Sequence, residues 1–380
     1  MKVLLLYPHI NQKTLMTNYV GRLREHGLKI DLICTMDPHA DIMYTSQPLL
    51  LILLKMLQRL HTRFTSGMFN RIIRAMLWLV AIPRIAKKYD MVDFHSYIHS
   101  CDYIIDFCLT HKIPYDITLW GSDIMRADES RVKKMANGFK HCRYIKCLEN
   151  ISLEVHRKYN GEFDSKVRIQ QFGNTFLDII DSVCEERPQI CQRLFGIQDN
   201  KIVITCGYNA SMFQRHQIII DSLKALPQHL RSRIHVVLPM TYPDNAECSE
   251  YREVIREYIS NSGLEFTIFD KFMSEIDVAA LRISTDIMVN IQDTDAFSGS
   301  IQDHLYCGNV CIIGEWLNYT QYRDTNVYYI KCKKEQLSVC IQNVIENIEE
   351  YNASCLYNRD KIRLLSSWDS VIDNLYNNYF

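Results

Sequence analysis

Residues 286–314, DIMVNIQDTDAFSGSIQDHLYCGNVCIIG, carry the pattern that decides the fold of this chain. The apolar run 286–291 predicts a short buried strand, and the run 310–313 predicts a second one. Between them, residues 300–307 can form two helical turns, and Gly308 suits the left-handed position that ends a helix. A strand, a loop, a helix and another strand in this order predict a parallel sheet covered by helices.

The loop between the first strand and the helix carries the candidate chemistry. Ser298, Gly299 and Ser300 are expected to leave backbone N–H groups free at a helix N-terminus, which favours an anion such as phosphate. Asp295 and Asp303 would repel a phosphate, but they suit hydroxyl groups that flank one, as in a sugar joined to a nucleotide. The alternative is that Asp295 caps a helix and Asp303 is a solvated surface residue.

This stretch resembles the acidic-x7-acidic signature of GT-B glycosyltransferases, especially the large family 4 group. That signature has two glutamates separated by seven residues, then a glycine five residues later and an apolar strand. Here Asp295, Asp303, Gly308 and the run 310–313 stand in those places. Aspartate keeps the charge of glutamate but shortens the side chain. The resemblance implies that Asp295 binds hydroxyl groups of a donor sugar and that Asp303 binds those of the ribose.

The length and composition indicate a globular protein of two domains. At 380 residues the chain is long for one domain, and its 47% hydrophobic and 23% charged residues are typical globular values. A net charge of -1 and a pI near 6.9 give no general attraction to nucleic acid, which we do not expect as a partner. The N-terminal run MKVLLLYPHI is too short for a signal peptide and predicts a first strand.

The fourteen cysteines indicate a reducing environment. None belongs to a CxxC motif, which excludes zinc-ribbon and thioredoxin-like sites. Cys101 and Cys108 stand seven positions apart, as do Cys184 and Cys191, which places each pair on one face of a helix. We therefore expect these cysteines to be small buried residues of a cytoplasmic protein.

The first half of the chain predicts a doubly wound α/β domain. Apolar runs predict strands at 3–7, 29–34, 91–95, 115–119, 144–148 and 167–171. The turn after the fourth strand, Trp120-Gly121-Ser122-Asp123, resembles the HGSD-type turn of family 4 enzymes. Trp120 replaces the usual histidine and cannot act as a base, so Asp123 is the catalytic candidate here, unless it only caps the next helix. The other candidate residues on the acceptor side are Ser122, His9, His95 and His99.

The second half predicts another domain of the same kind. Apolar runs predict strands at 201–206, 234–239, 266–269, 286–291, 310–313 and 328–330. A glycine-containing loop follows the first of these strands, and Arg215 precedes a helix, a combination that suits a pyrophosphate. By the resemblance, Gly207 and Arg215 bind the donor diphosphate, and Arg215 stabilises it as it leaves. Further donor-binding candidates are Asn209 and Ser211 in the same loop, and Phe272, which would stack on the nucleobase.

Residues 42–89 form a segment without aspartate or glutamate that contains eight lysines and arginines between strongly apolar runs. The longest uncharged run, 42–54, is too short to span a bilayer. A basic and apolar pair of helices is expected to lie on an anionic membrane surface. The alternative is an inserted helical hairpin that packs on its own domain, and both interpretations can hold together.

These patterns predict the α/β fold class and, by resemblance, the GT-B architecture: two Rossmann-like doubly wound domains facing a cleft. We expect an acceptor-binding domain at 1–180, a linker at 181–199 and a nucleotide-sugar-binding domain at 200–355. The segment 356–380 resembles the closing helix of family 4, which crosses back to the first domain.

The resemblance implies a glycosyltransferase that moves a sugar from a nucleotide-sugar to an acceptor, retains configuration and needs no cofactor. The expected acceptor is a lipid-linked or other oligosaccharide of surface polysaccharide synthesis, at the inner face of the cell membrane. Asp293-Thr294-Asp295 matches the metal-binding DxD of GT-A enzymes, but it lies in a GT-B-like unit, so we expect no metal site. Two alternatives stay open: a non-catalytic nucleotide-sugar-binding subunit of an assembly complex, and a GT-B-like nucleotide-sugar epimerase.

Overall fold

The computed structural model describes residues 1–7, 13–34, 76–98, 101–198, 200–243 and 245–380, together with positions 52, 55, 56, 59, 60 and 72. The chain divides into two compact units, each with its own six-stranded sheet. The first unit comprises Met1–Gly173 and Trp368–Phe380. The second unit comprises Asn174–Ser367.

The first unit is built on a parallel sheet with the strand order β2-β1-β3-β4-β5-β6. Its strands are β1 Lys2–Tyr7, β2 Lys29–Cys34, β3 Met91–His95, β4 Tyr115–Thr118, β5 Ile145–Cys147 and β6 Val167–Ile169. Its described α-helices are Lys13–Glu25, Ile82–Ala86, Cys101–Thr110, Ser122–Met125, Glu129–His141, Glu149–Tyr159 and Trp368–Asn377, and Leu77–Ala81 is a π-helix. The central strands are buried, as expected for a parallel sheet that is covered on both faces.

The second unit is built on a parallel sheet with the strand order β12-β11-β10-β7-β8-β9. Its strands are β7 Ile202–Cys206, β8 Ile234–Pro239, β9 Phe266–Phe269, β10 Ile287–Asn290, β11 Val310–Gly314 and β12 Ile330–Cys332. Its described α-helices are Phe176–Ser182, Arg187–Phe195, His216–Lys224, Gln228–Arg231, Ala246–Ser260, Glu275–Ser284, Gly299–Tyr306, Thr320–Asp324, Leu337–Glu346, Ile348–Cys355 and Asn358–Ser366.

The predicted α/β fold with two doubly wound parallel sheets is confirmed. Each of the twelve predicted strands is present, with bounds within two residues of the prediction. The largest shifts include the last strand, which begins at Ile330 rather than at Tyr328. The side chain of Asn358 explains this shift, because its amide bonds both the N–H and the carbonyl of Tyr328 at 2.8 Å. The backbone groups of Tyr328 therefore bond to Asn358 instead of to the neighbouring strand.

The segment predicted as a linker, 181–199, contains a helix. Arg187–Phe195 is helical, begins with a capping box and ends at Gly196 in the left-handed conformation. The structure thus separates its two units between Gly173 and Asn174, ahead of this helix. The charges and the proline that suggested a linker are the capping and first-turn residues of the helix instead.

All fourteen cysteines are free thiols. Cys101 and Cys108 are both buried in the helix Cys101–Thr110, as predicted. The corresponding prediction for Cys184 and Cys191 is wrong, because Cys184 lies before the helix that contains Cys191 and is exposed.

Most of the basic segment 42–89 lies outside the described residues. Its described part includes the π-helix Leu77–Ala81 and the helix Ile82–Ala86. Most residues of the helix Ile82–Ala86 are buried. Several described positions of the segment expose apolar side chains, namely Ile52, Met56, Ile72, Met76, Leu79 and Val80. Within the described residues, no helix is long and apolar enough to cross a membrane.

A group of charged side chains is buried in the core of the first unit. The Lys146 Nζ on β5 lies 3.0 Å from Asp93 on β3 and 2.9 Å from Asp116 on β4, and all three side chains are 0% exposed. The Tyr379 hydroxyl donates to Asp93 at 2.8 Å. Arg143 donates two hydrogen bonds to Asp116, at 3.1 and 3.0 Å. Two cations thus balance two carboxylates, which lowers the cost of burying them.

Candidate functional site

The loop after β7 requires a glycine at its first position. Gly207 has a φ of +64°, and a Cβ there would lie 2.8 Å from Gln214 Oε1 and 2.9 Å from His216 Nε2. Its N–H donates to the carbonyl of Val289 on the neighbouring strand β10, at 3.0 Å. Only glycine combines this conformation with this close approach.

The predicted polar residues of the loop bond to the loop itself. Asn209 Oδ1 accepts a hydrogen bond from the Ser211 N–H at 2.9 Å. Ser211 in turn caps the short helical turn Met212–Gln214 through the Phe213 N–H. Both side chains therefore hold the backbone of the loop that leads to Arg215.

Arg215 is paired with a carboxylate from the loop after β10. Its Nε donates to Asp293 Oδ1 at 2.9 Å, and a second, shorter bond joins its terminal nitrogen to Oδ2. Lys334 Nζ lies 3.5 Å from the same carboxylate. Burial tends to raise the pKa of Asp293, but these two cations hold that pKa below its usual value. Arg215 also adopts a φ of 60°, which is uncommon for a residue other than glycine.

Gln292 connects the loops that follow β7 and β10. Its side-chain oxygen accepts a hydrogen bond from Gln214 Nε2 at 2.8 Å and lies 3.1 Å from the Tyr208 hydroxyl. Its backbone carbonyl accepts from Trp316 Nε1 at 2.9 Å. The backbones are joined as well, because the Asp293 N–H donates to the Phe213 carbonyl at 3.1 Å. These bonds fix the backbones from which Arg215 and Asp293 extend.

Asp295 follows β10 and binds a buried tyrosine. Its carboxylate accepts hydrogen bonds from the Tyr319 hydroxyl and, at 3.2 Å, from the Ser298 N–H. Burial raises the pKa of Asp295 to about 6, although both bonds oppose the rise. At neutral pH the group remains a carboxylate and can accept hydrogen bonds from hydroxyl groups. The N-cap of the following helix is Ser298, so Asp295 is not itself that cap.

Asp303 lies inside the helix Gly299–Tyr306 and is only 5% exposed. Its Oδ1 accepts a hydrogen bond from Asn174 Nδ2 at 2.8 Å, and Arg282 Nε lies 3.9 Å from its Oδ2. Burial raises the pKa of Asp303 to about 6 against the effects of Arg282 and Asn174. The alternative of a solvated surface aspartate is therefore wrong.

The start of the helix Gly299–Tyr306 is less open than its sequence predicts. The Ser298 N–H donates to Asp295, and the Ser300 N–H donates to Ser298 Oγ at 3.2 Å. The expectation of free N–H groups is therefore wrong for both serines. Gly299 is exposed, and a Cβ built on it would meet nothing within 4 Å, so its backbone is the accessible part of this helix start.

The DxD-like triplet 293–295 directs its two carboxylates to different partners. Asp293 binds Arg215, whereas Asp295 binds Tyr319. In the part of the chain that the structure describes, no group of three or more His, Cys, Asp and Glu side chains is arranged to hold a metal ion.

Exposed aromatic and apolar residues flank the carboxyl ends of the second sheet. Phe272, the candidate for base stacking, follows β9 and is 91% exposed. The other exposed residues of this kind are Met212 and Phe213 after β7, Tyr242 after β8 and Trp316 after β11. Flat apolar surfaces of this kind can pack on the faces of a base or a sugar ring.

Asp123, the catalytic candidate of the first unit, bonds to its own turn. Its carboxylate accepts hydrogen bonds from the backbone N–H groups of Tyr97 at 3.1 Å, Trp120 at 3.2 Å and Gly121 at 2.9 Å. Burial raises its pKa against these three bonds. It does not cap the helix Ser122–Met125, whose N-cap Gly121 has no side chain. Asp123 thus positions the turn, and Ser122 on that turn is exposed.

His95 lies at the carboxyl end of β3, and its side chain is fully buried. Its ring centre is 5.9 Å from that of Trp120, which stacks on Phe172 at 4.4 Å. Gln170, just after β6, is also buried, at 1% exposed. The two polar atoms of the Gln170 amide, the Trp120 indole N–H and His95 Nδ1 make no hydrogen bond to protein. His9 and His99, the other predicted histidines, lie outside the described residues.

Sequence reasoning missed most partners of the predicted residues. Tyr319, Asn174 and Arg282 contact the two key aspartates but belong to no motif around them. Gln170 and Phe172 were likewise missed, since a short apolar strand and its exit loop give no signal of an unpaired amide. The triplet 293–295 drew attention to Asp293 only as part of a DxD-like motif, and its pairing with Arg215 was not predicted.

No family model matches the chain, and no curated protein matches its sequence. Solved structures match it along its whole length. Anabaena HepE in complex with UDP-glucose has a TM-score of 0.73 at 12% identity, over 100% of this chain and 99% of that one. A glycosyltransferase from Rickettsia africae has a TM-score of 0.72 at 13% identity, over 100% of this chain and 97% of that one.

UDP-GlcNAc 2-epimerase from Neisseria meningitidis, bound to UDP-GlcNAc, is similar to a lesser degree. Its TM-score is 0.61 at 13% identity, over 100% of both chains. At these identities the likeness establishes the fold alone. The chain has the GT-B fold.

Proposed function

We propose that this protein is a glycosyltransferase and that its second unit binds a nucleotide-sugar donor. The observation that carries the proposal is the placement of Arg215, Asp295 and Asp303 on adjacent elements at the carboxyl ends of β7 and β10. Ligands of doubly wound sheets bind at this edge. HepE, which shares the fold, has been seen with UDP-glucose, and the Rickettsia africae protein is itself a glycosyltransferase.

In this proposal the two aspartates bind hydroxyl groups and Arg215 stabilises the leaving diphosphate. Asp303 is buried and Asp295 is partly buried, so a hydrogen bond from a ribose or sugar hydroxyl is stronger there than in open water. The guanidinium of Arg215 and the backbone N–H of Gly299 at the helix N-terminus supply positive charge to the phosphates without a metal ion. Retention of configuration is part of the proposal, and Phe272 is assigned to the nucleobase.

We assign the acceptor to the first unit. The buried polar atoms of Gln170, Trp120 and His95 that make no hydrogen bond to protein support this assignment, because a sugar hydroxyl that reached them would satisfy them. Asp123 holds the turn that carries Trp120 and Ser122. The proposed acceptor is a glycan on a lipid carrier, as used in surface polysaccharide synthesis.

The competing function is that of an epimerase, because an epimerase shares this fold. One experiment separates the two and tests the proposal. The protein is incubated with a panel of nucleotide-sugars, and bound and free species are identified by mass spectrometry and NMR. A transferase is expected to bind one donor and to release free nucleoside diphosphate when an acceptor is present. Conversion of the donor to its epimer contradicts the proposal, and binding without release supports a non-catalytic binder.

Removing either acidic side chain is expected to weaken the reaction in a distinct way. A charge-assisted hydrogen bond contributes about 1.5–3 kcal/mol, or about ten- to a hundred-fold. Asp303→Ala should raise the Michaelis constant for the donor, because it removes a ribose contact. Asp295→Ala should lower turnover more, because it acts on the sugar that moves. Steady-state kinetics with the identified donor check both values.

The matched control for these variants is Glu253→Ala, an exposed acid on the helix Ala246–Ser260. It should leave both constants unchanged. Parent-like kinetics in both Asp303→Ala and Asp295→Ala, with folding confirmed by circular dichroism, would show that the two aspartates serve the fold alone.

We further propose that the segment 42–89 holds the protein on an anionic membrane, which would bring a lipid-linked acceptor to the first unit. The support is its eight basic residues without any acid, together with exposed apolar side chains such as Ile52, Met56 and Leu79. Each basic residue near an anionic surface contributes about 1 kcal/mol. The peripheral cytoplasmic location follows from this proposal.

Liposome flotation is expected to place the protein with anionic vesicles at low salt and to release it at high salt. Changing Arg59, Arg63, Arg71 and Arg74 to glutamine should abolish flotation. The matched control changes four basic residues in the helices after β4 and β5, Lys133, Lys134, Arg157 and Lys158, to glutamine. Protein that stays out of the lipid fraction at low salt, or equal losses in both variants, would refute the membrane role of this segment.

A further inference from the structure

Asp293 carries a carboxylate shared by two cations from different loops. Arg215 binds it through two nitrogens, and Lys334 Nζ lies 3.5 Å from its Oδ1. The carboxyl is 24% exposed, the Arg215 side chain 44% and the Lys334 side chain 35%, so all three groups reach solvent. A two-point bond from arginine to a carboxylate uses the same geometry as its bond to a phosphate.

We infer that Asp293 occupies Arg215 in place of the donor diphosphate and transfers to Lys334 when the diphosphate binds. This inference rests on the proposed function, because it takes Arg215 as the ligand of that diphosphate. Asp293 would thereby weaken the binding of the donor and of the nucleoside diphosphate product, and it would speed the release of the product.

The backbone on each side is fixed, so the exchange needs only side-chain rotation. Arg215 has its N–H bonded to the Met212 carbonyl at 3.2 Å, and Asp293 has its N–H bonded to the Phe213 carbonyl at 3.1 Å. A carboxylate held by these backbones cannot leave the site, and it returns to Arg215 whenever the arginine is vacated. It acts as a competitor at a high effective concentration.

Lys334 is placed to receive the carboxylate. It lines a surface depression together with Asp293, Glu315, Trp316, Lys333 and Glu335. Its ammonium lies 4.6 Å from the centre of the Trp316 ring, which orients it next to Asp293. Rotation toward Lys334 therefore gives the displaced carboxylate a partner and reduces the cost of freeing Arg215.

The test measures UDP binding by titration calorimetry and UDP dissociation by stopped flow, with GDP and dTDP as further probes. Partly exposed ion pairs shift an equilibrium by about two- to fivefold. Asp293→Asn is expected to tighten binding by about that factor and to slow dissociation correspondingly. Lys334→Met is expected to weaken binding in the parent and to lose most of this effect in the Asp293→Asn background. Asp293→Glu keeps the carboxylate and should bind like the parent.

Glu335→Gln is the matched control, because it removes one negative charge from the same depression. Equal tightening by Glu335→Gln and Asp293→Asn would indicate a general charge effect and overturn the inference. Unchanged or weaker binding in Asp293→Asn, or an equal effect of Lys334→Met in both backgrounds, would overturn it as well.

The outcomes for the inference and for the proposed function are distinguishable. A folded parent that binds none of the three nucleotides removes the proposed donor site, and the inference with it. A parent whose binding is weakened by Arg215→Ala but indifferent to Asp293→Asn keeps the donor site and refutes the exchange alone.

Discussion

Replacing Lys146 by methionine is expected to destabilise the protein by about 3–5 kcal/mol, because removal of one partner leaves buried charges uncompensated. Lys146 contacts both Asp93 and Asp116, at 3.0 and 2.9 Å, in a core where all three side chains are inaccessible. Methionine fills a similar volume, so the loss reports the charge rather than a cavity. Urea unfolding followed by circular dichroism measures the change in the free energy of unfolding.

Two further variants give this prediction its controls. Lys134→Met makes the same change at an exposed position of the helix Glu129–His141 and should alter stability by less than about 0.5 kcal/mol. The double variant Asp93→Asn with Lys146→Met removes both charges of one pair and should be less destabilised than the sum of the two single variants. Additive effects would show that Lys146 and Asp93 do not stabilise each other.

The same group predicts a dependence of stability on pH. Burial tends to raise the pKa of Asp93, but Lys146 and His95 hold that pKa well below its usual value. In the unfolded chain the pKa of this carboxyl is about 4, so only the unfolded state takes up a proton when the pH falls below that value. The stabilisation by Asp93 is therefore complete at neutral pH and is lost progressively in acid. Asp93→Asn should flatten the acid limb of a plot of unfolding free energy against pH.

The positions of the strands could be predicted from sequence because most of them are short, mainly apolar runs that are recognisable locally. β3, β8 and β10 are buried on both faces and lack the alternation of a half-exposed strand, which is the pattern of a parallel sheet. Asp93 interrupts one of these runs without breaking the prediction. Its partner Lys146 is 53 positions away, and no local pattern reveals such a pairing.

The candidate site could be predicted to the level of loops but not of contacts. The spacing of Asp295 and Asp303 located a loop and a helix correctly, because both belong to one local unit. Whether a carboxylate is solvated or buried depends on remote residues such as Tyr319 and Asn174, which spacing does not reveal. The prediction of free N–H groups at Ser298 and Ser300 failed because nearby side chains bind them: Ser298 caps the helix through the Ser300 N–H, and Asp295 accepts from the Ser298 N–H.

Arg215→Ala is expected to lower turnover by about a hundred-fold or more, since a donor that stabilises developing charge contributes about this much. The structure adds a second reason for a large effect. Without Arg215, the carboxylate of Asp293 keeps only Lys334 at 3.5 Å and faces the diphosphate as an added negative charge. The double variant Arg215→Ala with Asp293→Ala should therefore recover part of the lost turnover. Arg215→Lys, which keeps the charge but not the two-point bond, should lose less than Arg215→Ala.

The assay for these variants is multiple-turnover transfer with the identified donor, run with and without EDTA. We expect the parent rate to survive EDTA, because Asp293 is bonded to Arg215 and Asp295 to Tyr319, so the two carboxylates do not face one ion. The effect of Arg215→Ala should fall on turnover more than on the Michaelis constant, as befits a contact that strengthens when the diphosphate leaves. Complete loss of activity in EDTA, restored by manganese, would transfer the stabilising role from Arg215 to a metal held by Asp293 and Asp295.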